Sequence, residues 1–166
     1  MSVFVVGVGA SGGQARALVD AGITAIGQAR HLEIRAESRR YANPAWGGAT
    51  RAPFVNAAVV VDSPLPPPTL LSVLFAIERT WGRVRSEVKN QARTLDLDVL
   101  WSDLPTPAVR PSSSSSPLLP HPRLLERSFA VLPALEALRA AGIAVPLELV
   151  TAARRHALAP LFALPD

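Results

Sequence analysis

The sequence predicts an α+β fold of the βαββαβ, ferredoxin-like kind: an antiparallel sheet with helices on one face, plus C-terminal helices. Three observations carry that expectation. Strand-like runs, apolar throughout or alternating with period two, recur at residues 3–8, 31–38, 54–62 and 93–101. Stretches with helical spacing, residues 14–26 and 69–81, separate the first strand from the second and the third from the fourth. The second and third strands have no helix between them, which breaks the rhythm of a doubly wound parallel sheet.

At 166 residues and 49% apolar composition the chain reads as one domain, 1–166, with enough apolar side chains for a proper core. There are no cysteines, so a metal would need oxygen or imidazole ligands. No apolar run approaches the roughly 20 residues that span a bilayer, and no basic region precedes the first apolar run. The expectation is a cytoplasmic monomer with no membrane partner. The formal charge is +4, and Lys89 is the only lysine. Arginines suit bidentate phosphate contacts, though a GC-rich genome also produces them.

Taken in order, the first strand runs into Gly7-Val8-Gly9-Ala10-Ser11-Gly12-Gly13. This matches G-x-G-x-x-G, with Glu33 about 20 residues on, as a dinucleotide site would have it. The following segments lack further βα units, which favours a glycine turn that lets a helix pack closely on a strand. In the second strand Leu32, Ile34 and Ala36 face inward, away from His31, Glu33 and Arg35. Residues 39–53 read as a loop, with turn signals at Asn43-Pro44 and Gly47-Gly48 around Trp46. The third strand is apolar almost throughout and reads as central. A proline run then leads into a helix with Leu70, Leu71, Leu74 and Ile77 at helical spacing. Residues 82–92 form a charged loop.

Residues 104–117 are rich in proline and end in an unbroken serine run, which reads as a mobile insertion without a function. Beyond it, residues 129–132 read as a further core strand, 132–141 as a helix ended by Gly142, and 147–158 as a short amphipathic helix.

The chemistry centres on Arg93-Thr94-Leu95-Asp96-Leu97-Asp98. In a strand, positions two apart share a face, so Asp96 and Asp98 point together while Leu95 and Leu97 enter the core. Their backbones lie roughly 6.6 Å apart, close enough to share hard cations. A solvated acidic face is the plain alternative. Other separated pieces suit a phosphate-rich ligand: Arg83, Arg85 and Lys89 before this strand, and His121, Arg123 and Arg127 after the serine run. Phe54 and Asn56 share a strand face and can offer a stacking plane and an amide to a heteroaromatic ring.

These pieces, with Glu78, Gly82-Arg83-Val84-Arg85, Pro120-His121-Pro122-Arg123 and Glu126-Arg127-Ser128-Phe129, occur in one order. In that order they resemble the 6-hydroxymethyl-7,8-dihydropterin pyrophosphokinase family of folate biosynthesis, over about residues 3–136. The resemblance implies transfer of the β,γ-pyrophosphoryl group of ATP to the pterin hydroxymethyl oxygen, with release of AMP. It implies Asp96 and Asp98 as ligands of two Mg²⁺ ions, and Arg83 and Arg93 as the arginines that stabilise the transferring group. Glu78, Arg85, Lys89, Val99, His121 and Arg127 match ATP-side positions. Phe54 and Phe129 would sandwich the pterin, with Asn56 bonding its polar edge and Asn43, Pro44 and Trp46 closing the pocket.

The sequence departs from the family's pattern in several places. The family's Gly-Ser-Asn turn is Gly9-Ala10-Ser11 here, and its pterin-loop threonine is Asn43. Lys89-Asn90-Gln91-Ala92 stands where Arg-Trp-Gly-Pro is common, and Leu118 stands where a hydroxyl residue is common near adenine. A non-catalytic or altered-ligand binding domain is therefore the second reading. An RNA-binding domain is the third, and the lack of an aromatic-basic stacking platform on the sheet argues against it, so no nucleic-acid partner is expected.

Overall fold

The computed structural model describes residues 1–43, 54–82, 95–105, 117–157 and 159–165. The long strands are β1 (Ser2–Ser11), β4 (Phe54–Ser63) and β5 (Asp96–Ser102); β2 (Glu33–Glu37) and β3 (Tyr41–Asn43) are shorter, and β6 (Phe162–Ala163) is shorter still. The sheet runs β5-β1-β4-β3-β6, with β2 also paired to β4, and every pairing is antiparallel. The four predicted strands therefore stand in the order fourth, first, third, second. That is the split arrangement expected, and it excludes the dinucleotide-binding reading of the glycine run.

Side chains of β1 explain its continuous apolar run. Phe4, Val6, Val8 and Ala10 enter one core with α1 (Ala15–Gln28) and α2 (Pro67–Thr80). Val3 and Val5 enter a second core on the opposite face, with α3 (Ser128–Ala140) and α4 (Leu147–Arg155). A strand covered on both faces has no reason to alternate. The predicted helices thus take one face, and the C-terminal helices cover the other.

Four local expectations change. Residues 129–132 are helical, because Ala130, Val131, Ala134, Ala137 and Leu138 are buried at helical spacing along α3 and that packing outweighs the strand propensity of Val131. Helix α2 starts earlier than its apolar pattern, since proline is tolerated in a first turn whose N–H groups have no helical partner. The predicted loop contains β3, and β6 pairs with it from the far end of the chain. The glycine run lies largely inside β1 rather than in a turn. Gly142 does end α3 as expected. At φ 68° it lets the Ile143 N–H reach the Leu138 carbonyl at 3.0 Å and its own N–H reach Arg139 at 3.0 Å.

Candidate active site

Register across the sheet assembles the site. Gly9 of β1 lies opposite Asp96 on one side and Asn56 on the other, and Gly7 lies opposite Asp98 and Ala58. Tyr41 continues the first row beyond Asn56, and Asn43 pairs with Phe54. Directly paired residues share a face, so these side chains all stand on the face that α3 and α4 cover farther along. At this end β1 contributes no side chain at Gly9, nor at Gly7, whose face the Leu100 side chain covers instead. The result is a shelf with the acid pair along one margin and Phe54 and Asn56 along the other, two strand spacings or roughly 10 Å apart, with Asn43 one strand farther on.

On the acid side, Asp96 and Asp98 are half-buried, while Leu95, Leu97 and Val99 are buried in the opposite core. The carboxylate of Glu78, at the end of α2, is 1% exposed and accepts the Leu97 N–H at 2.8 Å. That bond holds β5 between its two aspartates. His121 follows a cis Leu119–Pro120 peptide and donates its backbone N–H to the Leu100 carbonyl at 2.8 Å. Burial lowers the His121 pKa below the usual imidazole range; Asp98 opposes this, and Arg127 and Arg123 add to it. Its Nδ1 accepts the Arg123 N–H at 3.1 Å, so the neutral ring carries its proton on Nε2 and can donate there. Arg127 holds its guanidinium 5.6 Å from the centre of the Phe129 ring, a cation–π contact.

The donor chemistry of the acid pair fits magnesium. Among the described residues no three His, Cys, Asp or Glu side chains form a metal cage. Two carboxylates without a cage suit Mg²⁺, which keeps several waters and takes its remaining ligands from substrate phosphates.

On the opposite margin, the Asn56 amide bridges two strands. Its Nδ2 donates to Asn43 Oδ1 at 2.7 Å, and its Oδ1 lies 2.9 Å from where a Cβ on Gly9 would stand. Glycine at that position is therefore a requirement of close approach rather than of a turn. Asn43 is 8% exposed, and Phe54 and Phe129 are partly buried. Behind them the Tyr41 hydroxyl donates to Glu136 of α3 at 2.6 Å, and Arg39 pairs with the same carboxylate at 2.8 Å.

The structure thus brings together Asn43, Phe54, Asn56, Asp96, Asp98 and His121 from the sequence-predicted set, while Arg127 and Phe129 stand at the start of α3 in contact with each other. Glu78 and the side chain of Val99 are buried in the core rather than on the shelf. Pro44, Trp46, Arg83, Arg85, Lys89 and Arg93 lie outside the described residues. Sequence reasoning missed Gly9, Tyr41 and Glu136. For Gly9 a signal existed, since G-x-G at period two inside a strand clears one face; Tyr41 and Glu136 meet only through the tertiary fold.

A hard-oxygen acid pair with a neutral histidine along one margin, and an amide and the Phe54 ring along the other, suit an enzyme that handles phosphates beside a small planar ligand. A sequence model described as 7,8-dihydro-6-hydroxymethylpterin-pyrophosphokinase matches residues 5–139, and the chain belongs to that family and is an ATP-dependent pyrophosphokinase. It is 32% identical over 130 residues to a 2-amino-4-hydroxy-6-hydroxymethyldihydropteridine pyrophosphokinase of Methylorubrum extorquens, covering 78% of each chain. A protein of the same name from Porphyromonas gingivalis is 31% identical over 136 residues, covering 80% of this chain and 88% of that one. The folate synthesis bifunctional protein of Arabidopsis thaliana is 41% identical over 106 residues, which span 64% of this chain and 17% of that protein.

Proposed function

We propose that the protein transfers the β,γ-pyrophosphoryl group of ATP to the hydroxymethyl oxygen of 6-hydroxymethyl-7,8-dihydropterin, a step of folate synthesis. The acceptor oxygen attacks the β-phosphorus, the bond from that phosphorus to the α,β-bridging oxygen breaks, AMP leaves with that oxygen, and the hydroxyl proton passes to solvent. The observation that carries this reading is the glycine shelf, which sets an acid pair and an amide-aromatic pocket on one sheet face about two strands apart.

Asp96 and Asp98 would hold magnesium, two ions in this reading, which when bound would neutralise phosphate charge and help align the pyrophosphoryl group for transfer. His121, neutral with its proton on Nε2, would donate to a phosphate oxygen. Arg127 would add positive charge on the ATP side, with Arg85 and Lys89. Glu78 would act there by holding β5 in place, and the Val99 backbone would run along the adenine. Arg83 and Arg93 would stabilise charge on the transferring group. Asn56, fixed by Asn43, would bond the polar edge of the pterin between Phe54 and Phe129, with Pro44 and Trp46 closing over it. Such a transfer depends on positioning and electrostatics more than on covalent help. In this reading the enzyme acts as a cytoplasmic monomer, since one chain supplies every group named.

The test is to mix the protein with Mg-ATP and hydroxymethyldihydropterin and to follow AMP. AMP formed only when the pterin is present supports the proposal. No AMP alongside intact pterin binding would favour the non-catalytic domain, to which Asn90 in place of the family's tryptophan gives some weight.

A further inference from the structure

We propose that the C-terminal strand β6 is a positioning element for the acceptor side of the site, an inference that rests on the pterin reading of Asn43 and Asn56. Strand β3 is three residues long. It is bonded to β4 on one side, and on the other to β6, which pairs Ala163 with Tyr41 and Phe162 with Ala42.

The tail is tied down well beyond that short ladder. The Leu164 N–H donates to the Arg40 carbonyl at 2.7 Å, and the Leu164 side chain packs against the core beneath α1 and α2. Arg16, in the first turn of α1, donates to the Pro165 carbonyl at 2.6 Å. Arg40 is itself fixed by Asp20 at 2.7 Å and Glu37 at 2.8 Å. Phe162 is 63% exposed, so its own burial contributes little to this pairing. The anchoring falls on the backbone of β3 and on the residue just before it.

What β3 delivers is Asn43, whose Oδ1 accepts from Asn56 Nδ2 at 2.7 Å. Without β6, β3 becomes a three-residue edge strand bonded on one side only, and such an element opens locally at low cost. Asn43 then loses its fixed place and the Asn56 amide loses its orientation. The acid pair is insulated from this change, because β4 and β1 stand between β3 and β5.

The experiment compares full-length Leu164→Pro, which removes the N–H bonded to Arg40, with Leu164→Ala, which trims the packing and keeps the N–H. Arg16→Ala serves as a milder variant. Each is first shown to melt cooperatively. Pterin affinity is then read by fluorescence in the presence of a non-hydrolysable ATP analogue, nucleotide affinity is read separately, and amide exchange is followed at residues 41–43. Leu164→Pro is expected to weaken pterin binding and raise its KM about tenfold, the worth of roughly one hydrogen bond. Nucleotide affinity should stay within about twofold, and exchange at residues 41–43 should quicken. Arg16→Ala should shift pterin affinity the same way by less, and Leu164→Ala should shift it least. Unchanged exchange at residues 41–43 in a folded Leu164→Pro variant overturns the proposal, as does an equal loss of pterin and nucleotide affinity. If the unmodified protein binds no hydroxymethyldihydropterin, the functional reading fails, and the exchange measurement still decides whether β6 clamps β3.

Discussion

Replacing Gly9 by alanine tests the shelf at its narrowest point. The new methyl carbon would stand 2.9 Å from Asn56 Oδ1, against the 3.4 Å at which ordinary contact begins, so the amide must yield by about 0.5 Å. It cannot yield by sliding toward Asn43, because the bond on that side is already 2.7 Å long. The amide must rotate, and the bond to Asn43 is lost. One such bond contributes about 0.5–1.5 kcal/mol, so the pterin KM should rise roughly two- to twelvefold while the affinity for Mg-ATP holds. Steady-state kinetics with each substrate varied in turn gives both numbers. Gly13→Ala is the control, since nothing lies within 4 Å of its added methyl and its φ is unremarkable. A Gly9→Ala enzyme with an unchanged pterin KM would refute the claim that glycine makes room for the Asn56 amide.

Glu78→Ala leaves the buried Leu97 N–H without its acceptor and should cost about 1–3 kcal/mol in urea unfolding, with Glu78→Gln costing less; no measurable loss would contradict the strand-holding role. Asp98→Ala should keep the fold but slow AMP formation by about a thousandfold or more, since a metal ligand stabilises several kcal/mol of charge; an unaffected rate sinks the metal assignment. His121 gives a pH dependence in the protein free of nucleotide and magnesium. Its folded pKa is depressed, so as pH falls below about 6.5 the unfolded chain takes up the proton first and stability declines toward the folded pKa; above that window the contribution is fully present. Melting temperatures at about pH 7.5 and about pH 5 should therefore converge more in His121→Asn than in the unmodified protein. Equal acid sensitivity in both would show that His121 does not titrate this way.

The long strands were legible because their side chains obey a local rule. Leu95, Leu97 and Val99 alternate against Asp96 and Asp98, and β4 is apolar from Ala57 to Val61 because it is covered twice there. The split order followed from two adjacent strands lacking a helix between them. What stayed hidden depends on distant partners. Strand β3 has only three residues beside turn signals, and its pairing with β6 joins Tyr41 to Ala163 across most of the chain. The first turn of α3 carries Val131 and Phe129, which propensity assigns to a strand, and only burial against the second sheet face decides otherwise. Of the site, the charged and aromatic residues could be named from sequence. The glycines between them looked like a turn, because a cleared sheet face has no local pattern beyond period two.

The most direct test of the whole account is a phosphorus NMR spectrum of the quenched reaction of protein, Mg-ATP and hydroxymethyldihydropterin. The account predicts AMP and a pterin diphosphate in equal amounts, with both absent for Asp98→Ala. Formation of ADP with a pterin monophosphate, or of the same products by the Asp98→Ala protein, would contradict it.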